Sequence, residues 1–183
     1  RDLSPPGNQL QKSISLAADA APEQLERWCR GLQGRARTLE VVGLGDEIGL
    51  AWPPVEDHIA FHDWLKAQGL QPADVDPDAG NDWRKVVYNA EPVAARSCPR
   101  LYFFSRRYQH HYGIQAQKTK TDVLRRYLPN AGIGANYSPH HAPHYLGEVH
   151  QWIKLFRRDG MTMPWSEDWI FQIPVGSQQM NFL

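Results

Sequence analysis

The chain has 183 residues, and its 20 Lys and Arg residues balance its 20 Asp and Glu residues, so the formal net charge is zero. A neutral chain lacks the basic field that attracts a phosphate backbone or an anionic lipid surface, which argues against nucleic-acid and membrane partners. The hydrophobic content of 42% includes 7 Trp and is sufficient for a packed core, which excludes a wholly disordered chain. The length suits one ordinary domain or part of a larger one.

Two cysteines, Cys29 and Cys98, are too few for a disulfide framework or for a zinc site of their own. We expect two ordinary thiols rather than a bridge. This cysteine usage is compatible with either an oxidising or a reducing compartment.

The first part of the chain predicts a helix, a strand and a second helix. The first helix begins near Pro22 and ends at Gly34, with apolar residues at helical spacing between them. The β-branched apolar run at 38–44 predicts a strand, and a second helix follows at about 56–68. Before Pro22 there is only a short apolar stretch at 14–18.

The second part of the chain opens with an irregular, proline-rich stretch at 70–99, and a connection of this length usually carries a site or an insertion. A long helix is predicted from Leu101 to Leu128, with Gly113 as a point of interruption. Beyond it the patterns predict a strand, a helix and another strand, at 132–137, 146–158 and 161–165.

Strands that alternate with helices form parallel βαβ units, so the sequence predicts an α/β fold. The functional site of such folds lies at the carboxyl ends of the strands. Each predicted strand leads into polar side chains at this end, namely Asp46 with Glu47, Asn136 with the histidines that follow it, and Glu167 with Asp168. We therefore expect the site at the carboxyl edge of the sheet.

The number of strands is small for a closed barrel, because a complete (β/α)8 barrel needs about 250 residues. A small open α/β sheet and the middle of a barrel both remain compatible with three strands. The missing initial Met and the abrupt end at Leu183 favour the second interpretation. We expect residues 1–183 to be a fragment of one catalytic domain, with the irregular insertion at about 70–99.

Three stretches occur in an order typical of one enzyme family. They are VVGLGDE at 41–47 with FHDWLK at 61–66, FSRRY at 104–108 with VLRRYLP at 123–129, and GANY at 134–137. Across about residues 20–175 the chain resembles the glycoside hydrolases of clan A, and most closely the β-galactosidase-like enzymes of family 42. The resemblance implies a partial (β/α)8 TIM barrel that covers about strands 4 to 6, with WSEDW at 165–169 ending strand six.

The resemblance implies retaining hydrolysis of O-glycosidic bonds in a β-galactoside-like or related carbohydrate, without a cofactor. Glu47 matches the general acid/base of the family. The family's nucleophile follows strand seven and would lie beyond Leu183, so the isolated chain is expected to lack it and to be inactive. The implied substrate contacts are Asp46, Asn136, His140, Trp165, Glu167 and Asp168. A homo-oligomeric parent protein is compatible with this assignment.

Two features depart from the family pattern. Asp46 stands where the clan usually has an Asn whose amide contacts the sugar 2-hydroxyl, although a carboxylate can also accept a hydroxyl. The cysteine-rich zinc cluster of the family has no counterpart in this sequence. In a different fold, Glu167 or Asp168 could serve as the nucleophile.

Two other functions compete with this assignment. The histidine loop offers metal ligands, with His140, His144 and Glu148 as candidates for a metal-dependent hydrolase. Prolines break the ligand spacing, and we expect a loop at the mouth of a sugar site and no metal. The other alternative is a non-catalytic carbohydrate-binding remnant. Separately, Trp52, Trp165 and Trp169 lie next to strand ends and are candidate platforms for sugar rings, whose C–H faces pack on indoles.

Overall fold

The computed structural model describes residues 12–46, 48–54, 58–135 and 149–163, with only the backbone described at 33 and 149–152. These residues form a mixed α/β structure. Its strands and α-helices, in chain order, are β1 (Ser13–Ser15), α1 (Pro22–Gly31), β2 (Val41–Gly43), α2 (His58–Lys66), α3 (Pro72–Val75), α4 (Ala94–Ser97), α5 (Pro99–Tyr127), β3 (Gly132–Gly134) and α6 (Val149–Arg157). No helix in this part of the chain is long and apolar enough to cross a membrane.

The three strands form one parallel sheet in the order β1-β2-β3. Ser13 pairs with Val41, and Val41 pairs with Gly132 on its other side. The central residues of β2 and β3, Val42 and Ile133, are fully buried. The prediction of an α/β fold with parallel strands is confirmed, and within the described residues the sheet is open.

The structure differs from the sequence prediction at β1 and at residues 161–163, which lie on opposite sides of the sheet's central strand. β1 lies at 13–15, where no strand was predicted, and it is held by parallel pairing to β2. Residues 161–163, predicted to begin a strand, are not a strand. The Ile133 carbonyl accepts the N–H groups of both Thr162 (2.8 Å) and Met163 (3.1 Å), while the Thr162 hydroxyl accepts the Ile133 N–H (2.8 Å). A side chain thus replaces the backbone partner that a regular ladder requires.

The chain divides into two compact units. The first, residues 1–49 and 120–183, contains the sheet. Thr121 is fully buried in it and donates its hydroxyl proton to the Gly160 carbonyl (2.7 Å), which joins the last turns of α5 to the end of α6. On α1, Leu25 and Cys29 are the buried residues, and a 3-10 helix at Gln33–Thr38 leads from α1 towards β2.

The second unit, residues 50–119, is built around aromatic side chains. Phe61 on α2 is fully buried, and its ring centroid lies 5.1 Å from that of Tyr108, 5.6 Å from that of Tyr88 and 6.4 Å from that of Trp64. The stretch at 70–99, predicted as irregular, contains short helical segments, and its buried residues include Val75 and Val86. These segments pack against the α2 side of the cluster.

The long helix α5 runs from Pro99 to Tyr127, close to its predicted bounds, and Gly113 does not interrupt it. A Cβ atom at Gly113 would lie 2.6 Å from the Leu50 Cβ and 2.9 Å from the Ala51 carbonyl oxygen. Gly113 therefore lets another segment approach the helix closely rather than breaking it. Its role is packing within the second unit.

Both cysteines are free thiols, as predicted, and Cys29 is the more buried of the two. Burial raises the pKa of the Cys29 thiol to about 11, from an ordinary value near 9.0, and the charge of Glu26 adds to this effect. Since a thiol reacts as its thiolate, Cys29 should react about 100-fold more slowly than an unperturbed thiol at pH 8. The rate should keep rising up to about pH 11.

The reaction with iodoacetamide, followed by mass spectrometry, measures this rate separately at each thiol. In a Cys98→Ser variant only Cys29 reacts, and in a Cys29→Ser variant only the half-buried Cys98 reacts. Equal rates for the two variants at pH 8 would contradict the expected protection of Cys29.

Candidate functional site

The carboxyl ends of the three strands meet at one edge of the sheet, as they must in a parallel sheet. The ladder continues for one residue beyond the strands, because the Leu16 N–H donates to the Gly43 carbonyl (2.8 Å) and the Leu44 N–H donates to the Gly134 carbonyl (2.7 Å). The segment after β2 and the segment after β1 therefore leave the sheet side by side. This carboxyl edge is the place where the sequence predicts the site.

A glycine turn carries the chain from β2 to the predicted site residues. Gly45 has a φ of 106°, a conformation that residues with a side chain rarely adopt. A Cβ atom at Gly45 would lie 2.6 Å from the Ala18 Cβ and 2.7 Å from the Ile48 Cγ2. The turn is thus packed closely against the segment that follows β1. This packing fixes the position of the backbone at the next residue, Asp46.

Lys120, on α5, contacts the same edge. Its Nζ donates a hydrogen bond to the Ala18 carbonyl, so that α5 holds the segment packed against Gly45. Burial lowers the pKa of the Lys120 ammonium, and the negative charge of Asp19 acts in the opposite direction. Sequence analysis missed Lys120, because nothing in its helical neighbourhood distinguishes it from a solvated lysine.

Met163 lies directly against β3. A Cβ atom at Gly132 would lie 3.0 Å from the Met163 sulfur, and one at Gly134 would collide with the Met163 carbonyl oxygen. Two glycines in a three-residue strand weaken its intrinsic preference for extended structure. Here they allow residues 161–163 to lie directly against β3.

Of the predicted site residues, Asp46 is the one within the described part of the chain. It is exposed and directly follows Gly45 at the carboxyl edge. The other predicted residues lie outside the described residues; they are Glu47, Asn136, His140, Trp165, Glu167 and Asp168. Two of these are chain neighbours of described edge residues, since Glu47 follows Asp46 and Asn136 follows Ala135.

The remaining candidates have different surroundings. Trp52 is 52% exposed, which agrees with a surface platform rather than a core position. His111 is half-buried, and its ring centroid lies 5.8 Å from that of Trp64. Within the described ranges there is no group of three or more His, Cys, Asp or Glu side chains that could hold a metal ion. The loop with His140 and His144 lies outside those ranges.

The described part of the carboxyl edge thus carries the exposed carboxylate of Asp46 and the half-buried ammonium group of Lys120, which donates to the Ala18 carbonyl. Comparisons with models of known families, with curated proteins and with solved structures find no match for this chain.

Proposed function

We propose that this chain is the central part of a family 42-like glycoside hydrolase barrel and that it supplies the general acid/base, Glu47, of a retaining β-galactosidase-like enzyme. The substrate is a carbohydrate held at the carboxyl edge of the sheet. Asp46 accepts a hydroxyl of the sugar beside the reacting bond. In the whole barrel, β2, β3 and the segment from residue 161 onwards contribute about strands 4 to 6, and β1 precedes them.

The observation that supports this proposal most directly is the order of the strands. Neighbours in a (β/α)8 barrel follow chain order, whereas doubly wound sheets reverse direction at a switch point. β1, β2 and β3 are parallel and lie in chain order, and residues 161–163 bind to β3 at Ile133. Four consecutive segments thus lie side by side in chain order, as in one part of a barrel, although one half of a doubly wound sheet has the same order.

The glycine turn after β2 supports the role of Glu47. In barrel enzymes the residues directly after a strand contact the substrate. Gly45 is packed closely against Ala18 and Ile48 and is followed at once in the sequence by Asp46 and Glu47. The resembled enzymes place their acid/base at this point of the sequence.

The chemistry needs two carboxyl groups. Glu47 donates its proton to the glycosidic oxygen as the bond to the sugar breaks, while a second carboxylate attacks the anomeric carbon and forms a glycosyl ester. Glu47 then removes a proton from water, which attacks the same carbon and releases the sugar with its original configuration. In this proposal the nucleophile comes from a part of the barrel beyond these 183 residues.

A chemical rescue experiment on the full-length protein tests the role of Glu47. In a Glu47→Ala variant, hydrolysis of phenyl β-galactoside should fall by about 10²–10⁴-fold, because its leaving group needs a proton. With 2,4-dinitrophenyl β-galactoside the first step, formation of the glycosyl ester, should slow down less, because this leaving group departs without a proton. Azide should then accelerate turnover and yield β-galactosyl azide, since the anion attacks the glycosyl ester without a base.

Glu40→Ala is the matched control, because Glu40 precedes β2 at the opposite edge and is exposed in an ion pair with Lys12 (2.9 Å). It should retain full activity. Three results would overturn the proposal: undiminished hydrolysis of the phenyl glycoside by Glu47→Ala, an azide product of inverted configuration, or no hydrolysis of aryl glycosides by the unaltered protein. Glycan binding without any turnover would indicate a binding module instead.

A further inference from the structure

The first unit has a pocket of about 750 Å³ at the amino-terminal edge of the sheet, opposite the edge of the proposed active site. One wall is formed by Gly34, Ala36, Arg37 and Leu39, which precede β2. The other is formed by residues 126–131, which join α5 to β3. The volume is within the range of about 300–1,000 Å³ that is typical of small-molecule sites.

The pocket has an apolar floor. Leu39, Leu128 and Ala131 are all buried and line it together. Leu128 and Ala131 are held by backbone hydrogen bonds, from the Leu128 N–H to the Leu124 carbonyl (2.7 Å) and from the Ala131 N–H to the Leu128 carbonyl (3.2 Å). The floor is therefore formed by ordered backbone and can contact an apolar group of a ligand.

The rim of the pocket is positively charged. Arg37 and Arg126 line it, and its lining contains no carboxylate. Neither arginine lies within 4.0 Å of a carboxylate of another described residue, although the pKa of the Glu26 carboxyl, lowered mostly by the hydrogen bond from Tyr127, is also lowered by the nearby charge of Arg126. The carboxylates of Glu26 and Glu40 have other partners. Glu26 accepts hydrogen bonds from Arg30 (2.8 Å) and from the Tyr127 hydroxyl (2.9 Å), and Glu40 is paired with Lys12 (2.9 Å).

The carboxyl end of α5 adds a partial negative charge to this rim. Arg125, in the same last turn, offsets part of it and lies 3.6 Å from the Asp159 carboxylate. The two guanidinium groups carry full charges, so an anion still finds a net positive rim.

We propose that this pocket binds a small organic anion, a phosphate monoester with an apolar substituent. Guanidinium groups bind phosphate oxygens through paired N–H donors, and Arg37 and Arg126 supply such groups from two walls of the pocket. The apolar substituent packs on the floor formed by Leu39, Leu128 and Ala131. The site is separate from the carboxyl edge and does not depend on the proposed glycosidase function.

Calorimetric titration of the full-length protein with phenyl phosphate tests this site. We expect saturable binding that weakens about tenfold or more in Arg37→Gln and in Arg126→Gln, because each variant loses a charge-assisted contact. Inorganic phosphate should bind more weakly, because it leaves the apolar floor uncovered. Phenol, which has no phosphate group, should not bind.

Arg35→Gln is the matched control, since Arg35 is exposed on the same 3-10 helix but does not line the pocket. It should bind phenyl phosphate as the unaltered chain does, and circular dichroism should confirm that all three variants keep their fold. The proposal is overturned by a lack of saturation up to about 10 mM, by unchanged affinity in both pocket variants, or by equal affinity for inorganic phosphate. Glu47→Ala should leave this binding intact, which separates the site from the proposed active site.

Discussion

Replacing Phe61 with alanine is expected to lower the free energy of unfolding by about 3–5 kcal/mol, because a fully buried aromatic ring is lost and its neighbours cannot fill the space. The rings of Trp64, Tyr88 and Tyr108 all lie within 6.4 Å of it, centroid to centroid. These rings are large and belong to different elements. Their collapse into the cavity would disturb α2, α5 and the segment between them.

Urea denaturation followed by tryptophan fluorescence measures this change, since Trp64 belongs to the cluster. Ile59→Ala is the control, because Ile59 lies on the same helix but is 74% exposed. Its effect should stay within about 0.5 kcal/mol. A similar loss for both variants would show that helix propensity, rather than the aromatic core, determines stability at these positions.

Replacing Gly45 with alanine is expected to lower the free energy of unfolding by about 2–4 kcal/mol, through two separate effects. The φ of 106° is strained for any residue with a side chain. The added methyl group would also lie 2.6 Å from the Ala18 Cβ and 2.7 Å from the Ile48 Cγ2. Relief of that overlap requires the turn to move, and Asp46 moves with it.

Two other glycines separate these effects. Gly69 has a φ of 77° but nothing within 4 Å of an added Cβ, so Gly69→Ala should show the conformational cost alone, about 1 kcal/mol. Gly31 has neither feature and should tolerate alanine without loss. Chemical denaturation of the three variants gives the comparison. Equal denaturation midpoints for Gly45→Ala and Gly69→Ala would mean that the segment after β1 moves away from the added methyl group without a loss of stability.

The elements with long, regular patterns were predicted well. α5 was placed close to its bounds because Pro99 and Pro129 delimit a long polar helical pattern. The short strands were harder. β1 has only one apolar residue, Ile14, so its extended structure follows from pairing with β2 and not from local preference. At 161–163 the local pattern favours a strand, but the Ile133 N–H donates to the Thr162 hydroxyl and not to a backbone carbonyl.

Local sequence signals predict part of the candidate site and miss its long-range contacts. The position of Asp46 at the carboxyl edge follows from the strand and the glycine turn, both of which are local signals. Lys120 reaches the Ala18 carbonyl across 102 positions of the chain, and no local pattern encodes such a contact. The same is true of the pocket with Arg37 and Arg126, because its two walls become neighbours only when β2 pairs with β3.

The pairing of β2 with β3 also has a consequence for synthesis. Val41 pairs with Ser13, 28 positions earlier, but its partner on the other side, Gly132, lies roughly 90 positions later. At a translation rate of about 5–20 residues per second, the backbone groups of β2 that pair with β3 stay unpaired for about 5–18 s before β3 is synthesised. An unpaired strand edge can pair with another nascent chain in that time. The side of β2 that pairs with β3 is therefore open to aggregation while the chain leaves the ribosome.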